Sequence, residues 1–339
     1  MNDFGYLRPD TLDQAVMAIA ADPAAKFIAG GTNLLDLMKY NVERPERVID
    51  ITRLPLREIT ETESGGLLIG ALVPNSDLAY DERIQSRYPL LASAILAGAS
   101  PQLRNSATTG GNLLQRTRCY YFYDPGTPCN KREPGTGCPA IEGQNRIHAI
   151  LGTSEHCIAT HPSDMCVGLA ALEATIHVQG QNGRRAIPMS EFHRLPGDQP
   201  QIDTTLRHDE IITAVELPPP SGFGSHYTYL KLRDRLSYAF ALVSVAAALE
   251  IEGGKVTKAR LALGGVAHKP WRDTAAEALL VGNAPDRDSF AAAADQILKD
   301  ATGYSHNAFK IELARRAIVR ALSQAASGTP QSQTDKRIR

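Results

Sequence analysis

Residues 26–40 read KFIAGGTNLLDLMKY, and this stretch decides how the first half of the chain is built. A short apolar run at Phe27, Ile28 and Ala29 gives way to two glycines and then to helical spacing at Leu34, Leu35 and Met38. That is a strand, a tight turn and a helix start. Residues 105–115, NSATTGGNLLQ, repeat the pattern of paired glycines, a polar residue and two leucines after irregular chain. Paired glycines let the backbone bend sharply and point N–H groups at an anion. Most Gly-Gly pairs are only turns, and neither stretch is a P-loop or the G-x-G-x-x-G dinucleotide fingerprint. Two matching turns carry more weight, because a pyrophosphate has two phosphates to be held from opposite sides.

Outward from these turns, ERVIDITRL and GLLIGALV read as strands and PLLASAILAGA as a helix. SDMCVGLAALEATI reads as a helix running into the strand ATIHVQG. Pro218-Pro219-Pro220 and the glycines of SGFGS mark the best domain boundary. Beyond it YTYLKLRD, ALVSVAAALEIEG and KARLALGGVA are strand candidates. The chain closes with helices at SFAAAADQILKDA and AFKIELARRAIVRALSQA, the second placing Ile311, Ala314, Ile318 and Leu322 on one face. The polar end, GTPQSQTDKRIR, is expected to be disordered.

The 339 residues carry 36 Lys+Arg against 37 Asp+Glu, a net charge of -1 that favours neither nucleic acid nor an anionic membrane. No apolar run approaches the ~20 residues of a membrane span. The opening, MNDFGYLRPDTLDQAVMAIA, lacks the basic start and apolar run of a secretory signal, so export would depend on another chain.

Residues 118–139, RCYYFYDPGTPCNKREPGTGCP, have no periodic apolar face. Four of the five cysteines, Cys119, Cys129, Cys138 and Cys157, fall in this loop-rich region, spaced by nine, eight and eighteen intervening residues. With no C-x-x-C, the common zinc-knuckle and bacterial ferredoxin patterns are absent. Four thiolates on an irregular loop can enclose a cubane cluster. Two disulfides, or zinc helped by His148, His156 or His161, fit the spacing as well. Cys166, inside an apolar helical pattern, reads as a small buried hydrophobe. Asp164 reads either as a carboxylate suited to a helix N-terminus or as an acceptor for a ribityl or ribose hydroxyl. Lys231 is either a strand surface charge or a neighbour of a flavin ring.

Taken together, KFIAGGTNL, IGALV, NSATTGGNLLQ, HPSDM, YLKLRDR, YAFALVSVAAAL and LGGVAHKPWR resemble the FAD-binding medium subunit of the xanthine dehydrogenase family of molybdenum hydroxylases. The resemblance extends to about Ala325 and is closest to the flavoprotein subunit of bacterial periplasmic aldehyde oxidoreductases. The cysteine-bearing insertion is shared with the medium subunit of 4-hydroxybenzoyl-CoA reductase, where it holds a [4Fe-4S] cluster. The implied fold is α+β. A two-subdomain FAD-binding domain of the vanillyl-alcohol-oxidase (PCMH) type would cover 1–220, with subdomains about 1–58 and 59–220 and a cluster loop at 116–158. A C-terminal α+β domain of the CO dehydrogenase flavoprotein type would cover 225–325, and 326–339 would be a disordered tail.

The resemblance further implies that Lys26, Phe27, Ile28, Ala29, Gly30, Gly31, Thr32, Asn33 and Leu34 wrap the FAD pyrophosphate. Thr108, Gly111 and Asn112 would close the other side. Asp164 would hold the cofactor, Lys231 would lie near the flavin and Ile212 would add an apolar contact. Cys119, Cys129, Cys138 and Cys157 would be the cluster ligands. The implied role is electron transfer within a heterotrimer. A molybdopterin-binding large subunit oxidises an aldehyde to its acid, and a small subunit with [2Fe-2S] clusters relays electrons to FAD. The expected location is the periplasm, reached by co-export with a signal-bearing partner, or otherwise the cytoplasm. A stand-alone FAD oxidase and a zinc- or disulfide-stapled binding module compete, and a hydroxybenzoyl-CoA-reductase-like medium subunit is a further alternative. The first lacks an evident acid-base pair, and the second leaves the glycine turns unexplained.

Overall fold

The computed structural model describes residues 1–236 and 238–335. Three sheets organise them. Strands β1 (Gly5–Leu7), β2 (Ala25–Ile28) and β3 (Arg47–Asp50) form a parallel sheet in the order β1-β3-β2. The helix Leu12–Ala20 begins where the Thr11 hydroxyl accepts the Gln14 amide, and it buries Ala15, Val16 and Ile19 among Ala25, Ile49 and Leu54.

Strands β4 (Ile59–Glu61), β5 (Leu67–Gly70), β6 (Thr175–Gly180), β7 (Gly183–Pro188) and β8 (Ile211–Leu217) form an antiparallel sheet in the order β4-β5-β8-β6-β7. Along β6 buried and half-buried residues alternate, as a sheet with one packed face requires. The helices Pro89–Ala97 and Asp164–Ala171 share the central core with this sheet.

Strands β9 (Tyr227–Leu232), β10 (Val243–Glu252), β11 (Lys255–Gly264) and β12 (Trp271–Arg272) make the third sheet, antiparallel in the order β12-β11-β10-β9. Strand β10 has no polar face because both of its faces are covered. Ala246 and Ala248 join the central core, whereas Val245, Ala247 and Leu249 pack with the C-terminal helices Arg287–Ile297 and Phe309–Ala326. On the last helix Ala314, Ile318 and Leu322 are fully buried, so Leu322→Ala would cost about 2–5 kcal/mol. The mixed helix and sheet architecture is the α+β class that the family resemblance implies. Among the described residues no helix is long and apolar enough to cross a membrane.

Three local expectations change. The second glycine turn is a short helix, Thr109–Leu113, capped by the Thr108 hydroxyl accepting the Gly111 amide at 3.2 Å. The cysteine loop has an apolar anchor after all. Its turn of helix Tyr120–Tyr123 buries Phe122 with Leu37, Cys119, Cys129, Cys157 and Ala159. One aromatic reaching a small cluster carries no periodicity and so leaves no sequence signal.

The tail, expected to be disordered, lies against the open edge of β9 at Gln331 and Gln333. The Gln331 side-chain oxygen accepts the Lys231 amide, the Gln331 amide donates to the Thr228 hydroxyl, and the Gln333 side chain donates to the Tyr229 carbonyl. Glutamine side chains here satisfy edge groups that a partner strand would otherwise take. Residues 336–339 lie outside the described residues.

Candidate functional site

The two glycine turns meet. A Cβ on Gly30 would lie 1.8 Å from the Ser106 carbonyl oxygen, and the Ser106 hydroxyl donates to the Gly30 carbonyl at 2.9 Å. Only a glycine allows this approach. Gly31 turns the chain with φ +71°, a left-handed conformation that costs glycine little. Between the turns lies a cleft lined by Lys26 through Leu34, Thr108, Gly110, Gly111, Arg116, Asp203 and Ile212. The structure thus brings to one cleft every residue assigned to the pyrophosphate from the first turn, together with Thr108, Gly111 and Ile212.

The turns are not equivalent as donors. In the second, the Thr109 amide goes to the Val73 carbonyl, Gly110 to Ala71 and Gly111 to the Thr108 hydroxyl. In the first, the amides of Gly30, Gly31, Thr32 and Asn33 donate to no acceptor among the described residues. The side-chain amide nitrogen of Asn33 is also buried without a partner, while its oxygen accepts the Arg116 amide. Such a row of unengaged donors fits an anionic group, so a pyrophosphate suits this turn. The second turn offers close approach rather than hydrogen bonds.

Arg116 is a residue the sequence reading missed. It lies in the cleft wall, pairs with Glu43 and Asp203, and sits 4.9 Å from the Phe122 ring. Asp203 also pairs with Lys131 at 2.5 Å. Burial works to raise the Asp203 carboxyl, but the Arg116 and Lys131 charges outweigh it and hold the group well below the usual carboxylate range. An arginine just after a Gly-Gly-Asn-Leu-Leu turn was the only signal available.

Asn112, Asp164 and Lys231 stand apart from the cleft lining. The Asn112 side chain donates to Asn75 and accepts from Ser163, whose hydroxyl also caps the helix Asp164–Ala171. Asp164 and Lys231 pair with each other at 2.7 Å; Tyr229 donates to the other carboxylate oxygen, and Lys231 also reaches the Ala97 carbonyl.

All five cysteines are free thiols. Cys119, Cys129, Cys138 and Cys157 line one pocket with Phe122, Lys131, His148 and His156. A pocket built of four thiols offers the soft donor set that iron-sulfur clusters take. Burial pushes the Cys119 thiol up to about 12. A hydrogen bond from Cys157 draws Cys138 down to about 6, and the same bond raises Cys157. Two histidines touch these sulfurs. His148 Nε2 lies 3.0 Å from Cys119 Sγ and His268 Nε2 lies 3.3 Å from Cys157 Sγ. Burial lowers both rings, His148 to about 4. Neither Nδ1 makes a hydrogen bond of normal geometry; the Asn145 carbonyl, which accepts the His148 backbone amide, also lies near the His148 ring.

Cys166 lies outside this set, fully buried on its helix. One ligand-capable atom each from His161, Cys166 and His193 lie within 4.8 Å of one another. The His193 ring donates from Nε2 to the Leu113 carbonyl.

Residues 2–220 match the FAD binding domain in molybdopterin dehydrogenase, and residues 227–325 match the CO dehydrogenase flavoprotein C-terminal domain. The aldehyde oxidoreductase FAD-binding subunit PaoB of Escherichia coli (strain K12) is 52% identical over 326 residues, 96% of this chain and 99% of that protein. The carbon monoxide dehydrogenase medium chain of Hydrogenophaga pseudoflava is 29% identical over 95% of this chain and 96% of its own length. The solved carbon monoxide dehydrogenase from Hydrogenophaga pseudoflava superposes with a TM-score of 0.76 at 29% identity, covering 96% of this chain and 98% of that one. Quinoline 2-oxidoreductase from Pseudomonas putida 86 gives a TM-score of 0.74 at 26% identity, covering 97% and 98%. With both domains matched in order along the chain, this protein belongs to the FAD-binding subunits of the molybdopterin dehydrogenase family of oxidoreductases.

Proposed function

We propose that this chain is the electron-transferring medium subunit of a molybdenum-dependent oxidoreductase that converts aldehydes to carboxylic acids. It works beside a molybdopterin-binding large subunit and a small subunit carrying [2Fe-2S] clusters, as one member of a heterotrimer. The observation that carries this reading is the row of unengaged amides from Gly30 to Asn33 in the cleft wall. The choice of aldehydes is supported by the identity to the E. coli aldehyde oxidoreductase subunit over nearly both chains.

When bound, FAD supplies the redox chemistry that links the partner's clusters to an external acceptor. This chain's own residues bind and orient it. Gly30, Gly31, Thr32 and Asn33 donate to the pyrophosphate, Gly111 leaves room for the backbone to approach, and Lys26 and Arg116, both paired with Glu43, line the cleft beside it. Ile212, 4% exposed, gives an apolar wall. Each Asp164 oxygen keeps a lone pair beyond its bond to Tyr229 or Lys231, so the carboxylate can still accept a ribityl hydroxyl. Lys231 stays assigned to the flavin side through that pair.

Cys119, Cys129, Cys138 and Cys157 would hold a [4Fe-4S] cluster. The fit rests on four free thiols turned to one pocket, three of them buried, from a loop with no competing disulfide. The complex would be loaded in the cytoplasm and exported folded to the periplasm with a partner bearing a twin-arginine signal.

The test is chemical analysis of the purified complex, with iron, zinc and flavin assigned to subunits after separation. One FAD and about four irons on this chain support the proposal. Flavin without iron would return the stand-alone oxidase reading, and zinc in place of iron would return the stapled module.

A further inference from the structure

We propose that His148 and His268 are side-chain hydrogen-bond donors that raise the reduction potential of the iron-sulfur cluster, each holding Nε2–H against a ligand sulfur. The inference rests on the cluster reading above. His148 belongs to the cysteine loop itself. His268 belongs to LGGVAHKPWR, the segment after β11, and so reaches the pocket from the C-terminal sheet. The two sulfurs they touch, those of Cys119 and Cys157, belong to different parts of the loop.

The tautomer follows from what surrounds each ring. A neutral imidazole has one proton and two nitrogens. Both histidines are buried, at 1% and 7% exposure; Nδ1 of His268 has no partner, and Nδ1 of His148 makes no hydrogen bond of normal geometry, with the Asn145 carbonyl as the acceptor near its ring. A proton on Nδ1 would be a buried donor left unmade, which costs about 1–3 kcal/mol. It would also set the bare Nε2 lone pair against a ligand thiolate, which has no S–H to offer. A proton on Nε2 removes both penalties and makes an N–H···S bond. An edge contact from Tyr120 and a tilted one from Tyr121, with ring centroids 6.3 and 6.4 Å away, help hold His148 in place.

An N–H dipole aimed at a ligand sulfur stabilises the reduced cluster more than the oxidised one, because reduction adds negative charge at that end of the dipole. Lys131 lines the same pocket, but Asp203 and the Pro200 carbonyl engage its amine; backbone amides of Tyr121, Phe122 and Ala159 also face these two sulfurs, so the histidines are the side-chain donors directed at sulfur and the ones a substitution can remove.

The experiment is a redox titration of the whole complex followed by low-temperature electron paramagnetic resonance. The fast-relaxing [4Fe-4S] signal is then resolved from the partner's [2Fe-2S] signals. His148→Phe and His268→Phe should each make the cluster about tenfold harder to reduce, equivalent to 59 mV for a one-electron couple. Their iron should stay at the wild-type level and the flavin potential should not move. His148→Gln and His268→Gln keep an N–H at the Nε2 position and should return to within about threefold of wild type.

Unchanged potentials in iron-replete Phe variants would overturn the inference, as would Gln variants shifted as far as Phe. Should a Phe variant fail to load iron, its Gln counterpart decides: a near-wild-type potential upholds the donor role, and a shifted or iron-free Gln variant overturns it. Absence of iron from the wild-type chain would be the separate failure of the cluster reading, and the inference would fall with it.

Discussion

Lys231 Nζ lies 2.7 Å from Asp164 Oδ2, with the two side chains only 2% and 7% exposed. The pair joins the first turn of the helix Asp164–Ala171 to strand β9, so it ties the two matched domains together at a buried point. Removing one member of a buried pair leaves an uncompensated charge, whereas removing both does not. Asp164→Asn should therefore cost about 3 kcal/mol in denaturant unfolding and lower FAD occupancy. Combining it with Lys231→Met should recover much of the stability but not the FAD. Full flavin content in the double variant would take Asp164 out of the cofactor site.

The two glycine turns should respond differently to added bulk. Gly30→Ala drives a methyl into the Ser106 carbonyl, which cannot move without displacing the facing turn. It should lower stability by about 2 kcal/mol as well as FAD content. Gly111→Val meets only the Thr108 hydroxyl, at 2.9 Å from the added Cβ. That variant should keep its circular dichroism spectrum and lose flavin. Full occupancy in Gly111→Val would remove the second turn from the site.

Iron should track the loop cysteines and ignore the helix cysteine. Cys129→Ser replaces a soft thiolate with a poor iron ligand, so iron should fall while FAD stays bound by the separate glycine turns. Cleavage by added protease within 119–157 should become faster as the loop loses a constraint. Cys166→Ser should leave iron unchanged. Equal iron loss from both variants, or none from Cys129→Ser, would refute the ligand assignment.

The flavin should be released by acid precipitation, because no histidine or cysteine is assigned to its ring and the cleft offers hydrogen bonds and charge. Yellow colour remaining with the pellet would mean a covalent link.

Location is open to a fractionation test. The assembled complex should appear with periplasmic proteins, and one partner should carry a twin-arginine signal. Complex confined to the cytoplasm, with no such signal on any partner, would count against export.

The α+β class came from the family resemblance, whereas the strand-turn-helix at Lys26 to Lys39, the pairing of two glycine turns and the separation of Cys166 from the other cysteines were legible in the residues themselves. Each is carried by local spacing: apolar period, paired glycines, or a cysteine inside a helical pattern. Tertiary structure alone decided which turn keeps its amides free, since the second turn loses its donors to Val73 and Ala71 from a distant segment. It also decided that Asp164 faces Lys231, that Arg116 spans Glu43 and Asp203, and that His268 reaches Cys157 across 111 residues of chain. Such pairings depend on where separate elements come to rest, and a hydrogen bond or ion pair made across that distance leaves no periodic trace in the order of residues.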